Sequence, residues 1–596
     1  MMRRLCLLFL GALASALIAQ PTDAPILPLD EIRPGQRGEV WTVFRGTDAE
    51  PFSVEVTGVL RNALGPGKSL ILCQLTDPRV QSMGAVAGMS GSPLYIEGRL
   101  AGALSYQLQR FETVRHAGFT PVADLIEVDA RAATPADRFA ATTAPWSQGG
   151  STSPYQALRP VFTLGGLSPA VAELFSSRYQ ALGLDVIALG GSTQSGAPEG
   201  GGAPTGARLQ SSTDQPPHRT TLKPGSAVSV ALATGDITLA GTGTVSRVDG
   251  KRISAFGHPM LSLGDVALPM CAAEVVAILP SNLQSMKLAN TGAVIGTITQ
   301  DRLSAVSGEI GAGPEMIAVT VTVNSGKTPA RTLRFSVARQ QQLTPTLVAT
   351  GVSQAILGSN DAGLAGGFRL SSSVRFPAQD SLAFATIYSG PQGFAQGLSD
   401  FVQSLAGNLQ NPYARTFPDE VAFTIEPLAE NPAVTLDLFQ VSRSVARAGE
   451  DLLVTLAWRD WQGEAHRQIV AVPVDPAWTG RQLEVVIAPG RAMDELAGRP
   501  RSISASELRS FGAYLAAMRD ERPADGLCLA VVERTTLFSD QTVATPDAPG
   551  SFERIARGAD EARFRKRDAL LPLWEKHLLP GKLLATLQRK PLTVIE

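Results

Sequence analysis

The chain has 596 residues, 44% of them hydrophobic and 18% charged, and reads as globular with material for several buried cores. Its formal charge of -2 gives no electrostatic argument for binding nucleic acid or an anionic membrane surface. With 57 glycines and 41 prolines it favours many turns and short strands over long helices, so the fold class expected is mainly β.

Arg3 and Arg4 precede the apolar run LCLLFLGALASALIA, which ends in small residues by Ala19, the layout of a secretory signal peptide. An uncleaved anchor is the alternative, but the run is short for a membrane span. The mature protein is therefore expected to be exported, whether periplasmic, cell-surface or extracellular. The later run from Val266 to Leu279 is interrupted by Pro269 and Glu274. Beyond the leader stand Cys73, Cys271 and Cys528, with neither a disulfide framework nor metal-ligand spacing, although one bridge would suit an oxidising compartment.

In chain order, residues 25–131 form a first β-rich unit. EVWTVFRG and FSVEVTGVL alternate in the strand manner, with Phe52, Val54 and Val56 on one face, and SLILCQLTD then delivers the chain to Asp77. The hairpin-like PLYIEGRLAGALSY follows, and GFTPV opens a short helical stretch through Ile126. Residues 132–224 read as a connector. Within it Leu167–Leu184 predicts a helix, with Ser168 as N-cap, Pro169 in the first turn, Val171, Leu174, Phe175 and Leu182 on one face and Gly183 as the stop. Gly190–Pro217, rich in Gly, Ser and Pro, predicts a flexible linker.

Residues 225–366 return to β alternation, with Asp249-Gly250 as a hairpin turn and His258 just past the hairpin's second strand. GAVIGTITQDR, MIAVTVTV and LRFSV continue the sheet, and Thr344–Gly358 looks helical. Residues 367–495, with VTLDLF, LLVTLAW, QIVAVPV and QLEVVIAP, resemble a β-sandwich, a kind of domain that binds or spaces. Residues 496–596 are mixed α/β. Ser504 and Glu507 make a capping box for a helix carrying Leu508, Phe511 and Leu515, and RFRKR at Arg563–Arg567 reads as a solvated helix face.

The chemistry centres on GMSGSP. Gly88 and Gly91 flank Met89 and Ser90, so the backbone can curl with its N–H groups inward, and the N–H of Gly88 and of Ser90 then form a candidate oxyanion hole. A buried hydroxyl in a glycine-rich turn is the plainer reading of the same residues. An α/β-hydrolase elbow does not fit, because that elbow needs a helix after the serine and a hairpin follows here. A serine nucleophile needs a base. Of five histidines, His116 and His218 lie in polar loops, His466 in a strand and His577 after a helical segment, whereas His258 sits in a Gly-His-Pro turn.

TDPRV, GMSGSPLYIEGRLAGALSY, ISAFGHPM and GTITQD together resemble the stage IV sporulation protein B (SpoIVB-type) family of serine peptidases, over roughly Ile32–Val337. The resemblance implies a chymotrypsin-like double β-barrel with Ser90 as nucleophile, His258 as general base and Asp77 as the acidic partner. Two departures stand out: the serine box precedes the histidine box, a permutation in sequence, and the PDZ domain of familiar members is missing. The implied activity is an exported serine endopeptidase that cleaves a protein or peptide substrate through an acyl-enzyme, without metal or cofactor. The rival is an inactive secreted scaffold on the same fold that binds a partner through its C-terminal β domains. Catalysis requires Ser90 Oγ and His258 Nε2 at about 3 Å. Asp77 either reaches Nδ1 of His258 or braces its own loop, and Asp265 is the other candidate acid.

Overall fold

The computed structural model describes residues 21–108, 114–131, 155–188, 221–281, 285–324, 329–357, 366–377, 379, 381–410, 416–498, 510–540, 543–546, 548–551, 554 and 564–596. The leader, the Gly190–Pro217 linker and the Ser504/Glu507 capping box lie outside them. No helix among the described residues is long and apolar enough to cross a membrane.

The first unit is built from β1 (Arg37–Val43), β2 (Ala49–Gly65), β3 (Lys68–Leu75), β4 (Pro93–Ile96), β5 (Arg99–Leu108) and β6 (His116–Pro121). They pair in the order β1-β2-β3-β6-β5-β4, and β4 pairs back onto β1, so six strands close a ring. The alternation that predicts these strands also fills the ring, because Val40, Phe52, Val54, Val56, Ile71 and Phe119 share one core. Two short helices flank it, α1 (Pro78–Met83) and α2 (Val122–Asp129).

The connector supplies β7 (Tyr155–Ala157), β8 (Phe162–Gly165), α3 (Pro169–Ala181) and β9 (Val186–Ala188). Helix α3 starts at Ser168 and Pro169 as predicted, and it buries Val171, Phe175 and Tyr179 at four-residue spacing while Leu174 is 47% exposed. A second ring follows. β10 (Ala227–Gly235), β11 (Thr238–Asp249), β12 (Arg252–Ala255), β13 (Gly264–Leu279), β14 (Met286–Arg302) and β15 (Ala305–Ile310) pair in the order β10-β13-β14-β15-β12-β11, and β11 pairs back onto β10. Asp249 and Arg252 are cross-strand partners around Gly250, whose φ is +59°, so the predicted hairpin turn is present.

Beyond the rings, β16 (Met316–Val323) and β17 (Arg331–Ala338) extend the second sheet, and α4 (Thr344–Leu357) lies buried against it. The sandwich expected from residue 367 does not begin there. β18 (Phe368–Arg375), β19 (Leu382–Tyr388), α5 (Gly390–Leu409) and β20 (Glu420–Pro427) join the same body, with β20 parallel to β16. Period-two alternation identifies a strand but not its neighbour, so it does not say which sheet these strands join.

Two packed sheets do follow, later in the chain. β21 (Thr435–Val441), β22 (Val445–Arg447), β23 (Asp451–Arg459), β24 (Ala465–Pro473), β25 (Gln482–Ala488), α6 (Gly490–Leu496), α7 (Phe511–Arg519), β26 (Leu527–Asp540), β27 (Val543–Pro546), β28 (Phe564–Leu578) and β29 (Gln588–Ile595) complete the described chain. The β21-β23-β24 sheet and the β22-β29-β25-β26-β27 sheet share a core of Leu452, Val454, Val470, Val485, Leu529 and Leu592. Helix α7 is capped by Ser510, whose hydroxyl accepts from the N–H of Ala513, and its Phe511 and Leu515 enter the core of the second ring's body. The charged run expected as a solvated helix face is, from Phe564, strand β28, paired with β26. Cys73, Cys271 and Cys528 are all buried free thiols, with no disulfide.

The rings are joined by polar contacts as well as apolar ones. Gly46 and Val275 exchange backbone hydrogen bonds of 2.7 and 2.9 Å. At the end of α2, the buried carboxylate of Asp129 accepts from Ser254 Oγ at 2.6 Å, Ser307 Oγ at 2.7 Å and Arg247 Nη1 at 3.3 Å, all on the second ring. Removing that carboxylate leaves buried donors unpaired. Asp129→Ala is expected to cost about 3 kcal/mol in chemical denaturation, against about 1 kcal/mol for Ser254→Ala.

Candidate active site

The serine turn is held from both sides. Helix α1 ends at Gly84 (φ +71°), Met89 is fully buried in the first ring's core, and Gly88 and Gly91 both have φ of +94°, a region that favours glycine. A Cβ on Gly91 would lie 2.0 Å from the carbonyl oxygen of Thr244 and 2.4 Å from the nitrogen of Phe256, so the turn presses directly on the second ring. The N–H of Thr244 donates to the Ser90 carbonyl at 2.8 Å, and its hydroxyl donates to the Gly88 carbonyl at 3.0 Å. The serine and histidine boxes, far apart in sequence, therefore form one layer.

The amides of the turn alternate in a way that suits an oxyanion. Those of Ala87, Met89, Gly91 and Ser92 donate to Ser285, Val86, Leu104 and Met89 respectively. The amides of Gly88 and Ser90 have no partner among the described residues. In a trans peptide the N–H points opposite the preceding C=O. The Ala87 carbonyl accepts from Lys287 N at 2.9 Å, and the Met89 carbonyl accepts from Ser92 N at 3.0 Å and Ser92 Oγ at 2.6 Å. Both free amides are thus fixed by tying down the far ends of their own peptide planes. Ser90 is 0% exposed, and its Oγ has no hydrogen-bond partner among the described residues.

His258 lies in a turn whose preceding residues, Phe256 and Gly257, both have φ of +67°. The turn is anchored to the first ring by Thr120, whose Oγ1 donates to the Gly257 carbonyl at 2.6 Å. Just beyond it, Asp301 in the GTITQD box accepts from the amides of Met260, Leu261 and Leu263 at 2.7, 2.8 and 3.1 Å. Burial raises the Asp301 pKa, and those amides pull it back down. The GTITQD box thus braces the loop that follows the histidine.

The expected Ser90–His258 hydrogen bond is not formed. His258 is fully buried, with Nδ1 2.8 Å from the Pro259 carbonyl and Nε2 2.8 Å from the carbonyl of Leu158, in the connector. Burial pushes its pKa down to about 4, against the raising pull of the two carbonyls and with a smaller lowering push from Arg159. The acid partner is not in place either. Asp77 caps α1, accepting from Arg79 N at 2.9 Å and pairing with the Arg79 guanidinium at 3.0 Å, which lowers its pKa. Asp265 pairs with Arg302 at 2.9 Å. Each aspartate has a local cation to hold it, and the histidine's Nδ1 is served by its neighbour's carbonyl.

Sequence reasoning missed Lys287. It is 3% exposed, its side chain lies against Gly88, and its Nζ donates to Thr42 Oγ1 at 2.7 Å and to Thr244 Oγ1 at 3.4 Å. Burial pushes its pKa down to about 7. A single lysine at the head of an alternating strand carries no motif, so only the fold could reveal it. Elsewhere, Asp460, Glu464 and His466 cluster at the β23–β24 turn within 4.8 Å, beside the ring of Trp458.

Residues 12–113 match the family model described as SpoIVB peptidase S55, which spans the serine box and supports the SpoIVB-type resemblance. No curated protein and no solved structure matches the chain.

Two outcomes check this geometry. An N-cap carboxylate is worth about 1 kcal/mol, so Asp77→Asn should lower the melting temperature slightly and leave any Ser90 reactivity within a few fold of the parent. For His258 the folded pKa, about 4, lies below the ordinary histidine value of 6.5. Between that value and about 4 the unfolded chain binds a proton that the folded chain refuses, so its contribution to stability is complete above the window and is lost as pH falls through it. The decline in melting temperature from pH 7 to 4.5 should be shallower in His258→Gln.

Proposed function

We propose that this chain is an exported serine peptidase with Ser90 as nucleophile and His258 as general base. The observation that carries the reading is the pair of preset amides of Gly88 and Ser90 beside an unpartnered serine hydroxyl. Ser90 Oγ attacks the substrate carbonyl and gives its proton to Nε2 of His258, while the carbonyl oxygen, now negative, takes the two amides. Collapse breaks the C–N bond, the imidazolium returns the proton to the leaving amine, and water then releases the acyl group by the same steps in reverse. In the reacting site Nδ1–H donates to the Pro259 carbonyl and so holds the tautomer that leaves Nε2 free to accept, once the Leu158 carbonyl that lies 2.8 Å from Nε2 has given way. The leader supports export.

The rival reading, a binding scaffold on a peptidase-like fold, is favoured by one observation: Ser90 and His258 are both sealed from solvent. A fluorophosphonate probe separates the two. The peptidase reading expects an adduct on Ser90 that is absent in Ser90→Ala and forms at least about a hundredfold more slowly in His258→Gln. An adduct that persists in Ser90→Ala, or none under any condition, would leave the scaffold reading. The same mass spectra show whether the mature chain begins beyond Ala19.

A further inference from the structure

A short piece of the chain's own backbone lies against the buried His258. β5 pairs with β4 as far as Ala103, and its Leu104 exchanges bonds with the serine turn: Gly91 N to Leu104 O at 2.7 Å and Leu104 N to Ser92 O at 2.9 Å. Farther along, Tyr106, Gln107 and Leu108 pair antiparallel with Ala157, Gln156 and Tyr155 of β7. Leu158 closes the gap, its N–H donating to the Ser105 carbonyl at 2.9 Å and its own carbonyl facing Nε2 of His258 at 2.8 Å. Along β5 one thus meets β4, the nucleophile's turn and then an added strand whose last carbonyl touches the base. A polypeptide substrate pairing with β5 would have to take this place, because an extended peptide satisfies a free edge by adding a strand.

From this arrangement we propose that Tyr155–Leu158 is an internal occupant of the substrate edge, and that the substrate is an extended polypeptide strand that displaces it along Ser105–Leu108. The inference rests on the peptidase reading. The bond that holds the strap in place is self-limiting. A neutral imidazole has one N–H for two carbonyls, so when Nδ1 donates to Pro259, as catalysis requires, Nε2 presents a lone pair to the Leu158 oxygen and repels it. The catalytic tautomer and the docked strap exclude one another. Further anchors of the strap include the Tyr155 hydroxyl on the Ala63 carbonyl and the edge-to-face contact of Tyr155 with Tyr106 at 6.0 Å.

The test uses the full chain in two variants. Gln107 and Gln156 are cross-strand partners, so Gln107→Cys with Gln156→Cys gives a disulfide that pins the strap when oxidised and frees it when reduced; the native thiols are buried. Tyr155→Ala removes an anchor. Because labelling tracks the open fraction, fluorophosphonate should label Ser90 about tenfold or more faster in Tyr155→Ala than in the parent. It should fail to label the oxidised lock and recover on reduction. Excess unfolded, alkylated polypeptide should protect Ser90 in Tyr155→Ala, and lack of protection overturns the substrate class. An oxidised lock that labels at the parent rate overturns the strap. If no form labels, the imidazole nitrogen shifts of His258 decide. Shifts that differ between oxidised and reduced lock keep the strap while the serine reading falls, and shifts that do not differ overturn the strap as well.

Discussion

The rest of the site depends on one contact that leaves no room for a side chain: the backbone of Gly91 against Thr244 and Phe256. It sets the distance between the two rings, because any Cβ there would push the second ring away by more than the length of a hydrogen bond's tolerance. Ser90 precedes Gly91, Thr244 fixes the carbonyls of Gly88 and Ser90, and Phe256 begins the turn that carries His258. Two closed rings are suited to this, since each is internally satisfied and can present a rigid turn to the other.

A serine and a histidine without an aspartate on the ring raise the question of what orients the base. The role has two parts, selecting the tautomer and stabilising the imidazolium that forms, and the first accounts for most of the loss when the acid is replaced by an amide that enforces the wrong tautomer. A carbonyl is an acceptor only, so with the Leu158 oxygen withdrawn from Nε2 the Pro259 oxygen selects the same tautomer that a carboxylate would. It supplies no full charge, and burial already disfavours the imidazolium. In the role proposed for it, His258 is therefore an oriented but weak base. The nearby carboxylates are committed elsewhere for local reasons: Asp77 to a helix start, Asp265 to Arg302 and Asp301 to the loop beyond the histidine.

The strands, the hairpin turns and the serine box were legible in the sequence, because each rests on neighbours only a few residues apart. Alternation in FSVEVTGVL and the turn at Asp249-Gly250 need no tertiary information, and glycines at 88 and 91 announce a backbone that other residues avoid. Partner identity was not legible. Whether β20 joins a new sandwich or runs parallel to β16 is decided by which apolar face it covers, and its own pattern is the same in either case. RFRKR reads as a solvated helix by charge, yet the long pairing of β28 with β26 overrides that propensity. Asp77 illustrates the same limit at the site. A family pattern suggested a catalytic acid, but Asp-Pro-Arg is also a helix start with its own counter-ion, and the local solution is the one adopted.

Lys287 shows how the two rings share the work at the serine. A buried ammonium is costly unless it is paired, and among the described residues its hydrogen bonds go to two threonine hydroxyls rather than to a carboxylate. Burial answers by bringing its pKa to about 7, so near neutral pH the side chain holds its proton only loosely. Thr244 converts that proton into order: its hydroxyl accepts from the lysine and so must give its own hydrogen to the Gly88 carbonyl. Gly88 in turn has no side chain because the lysine's Cβ would lie 2.9 Å from one. The glycine whose amide has no partner among the described residues is thus also the glycine that lets a lysine from the other ring lie behind the turn.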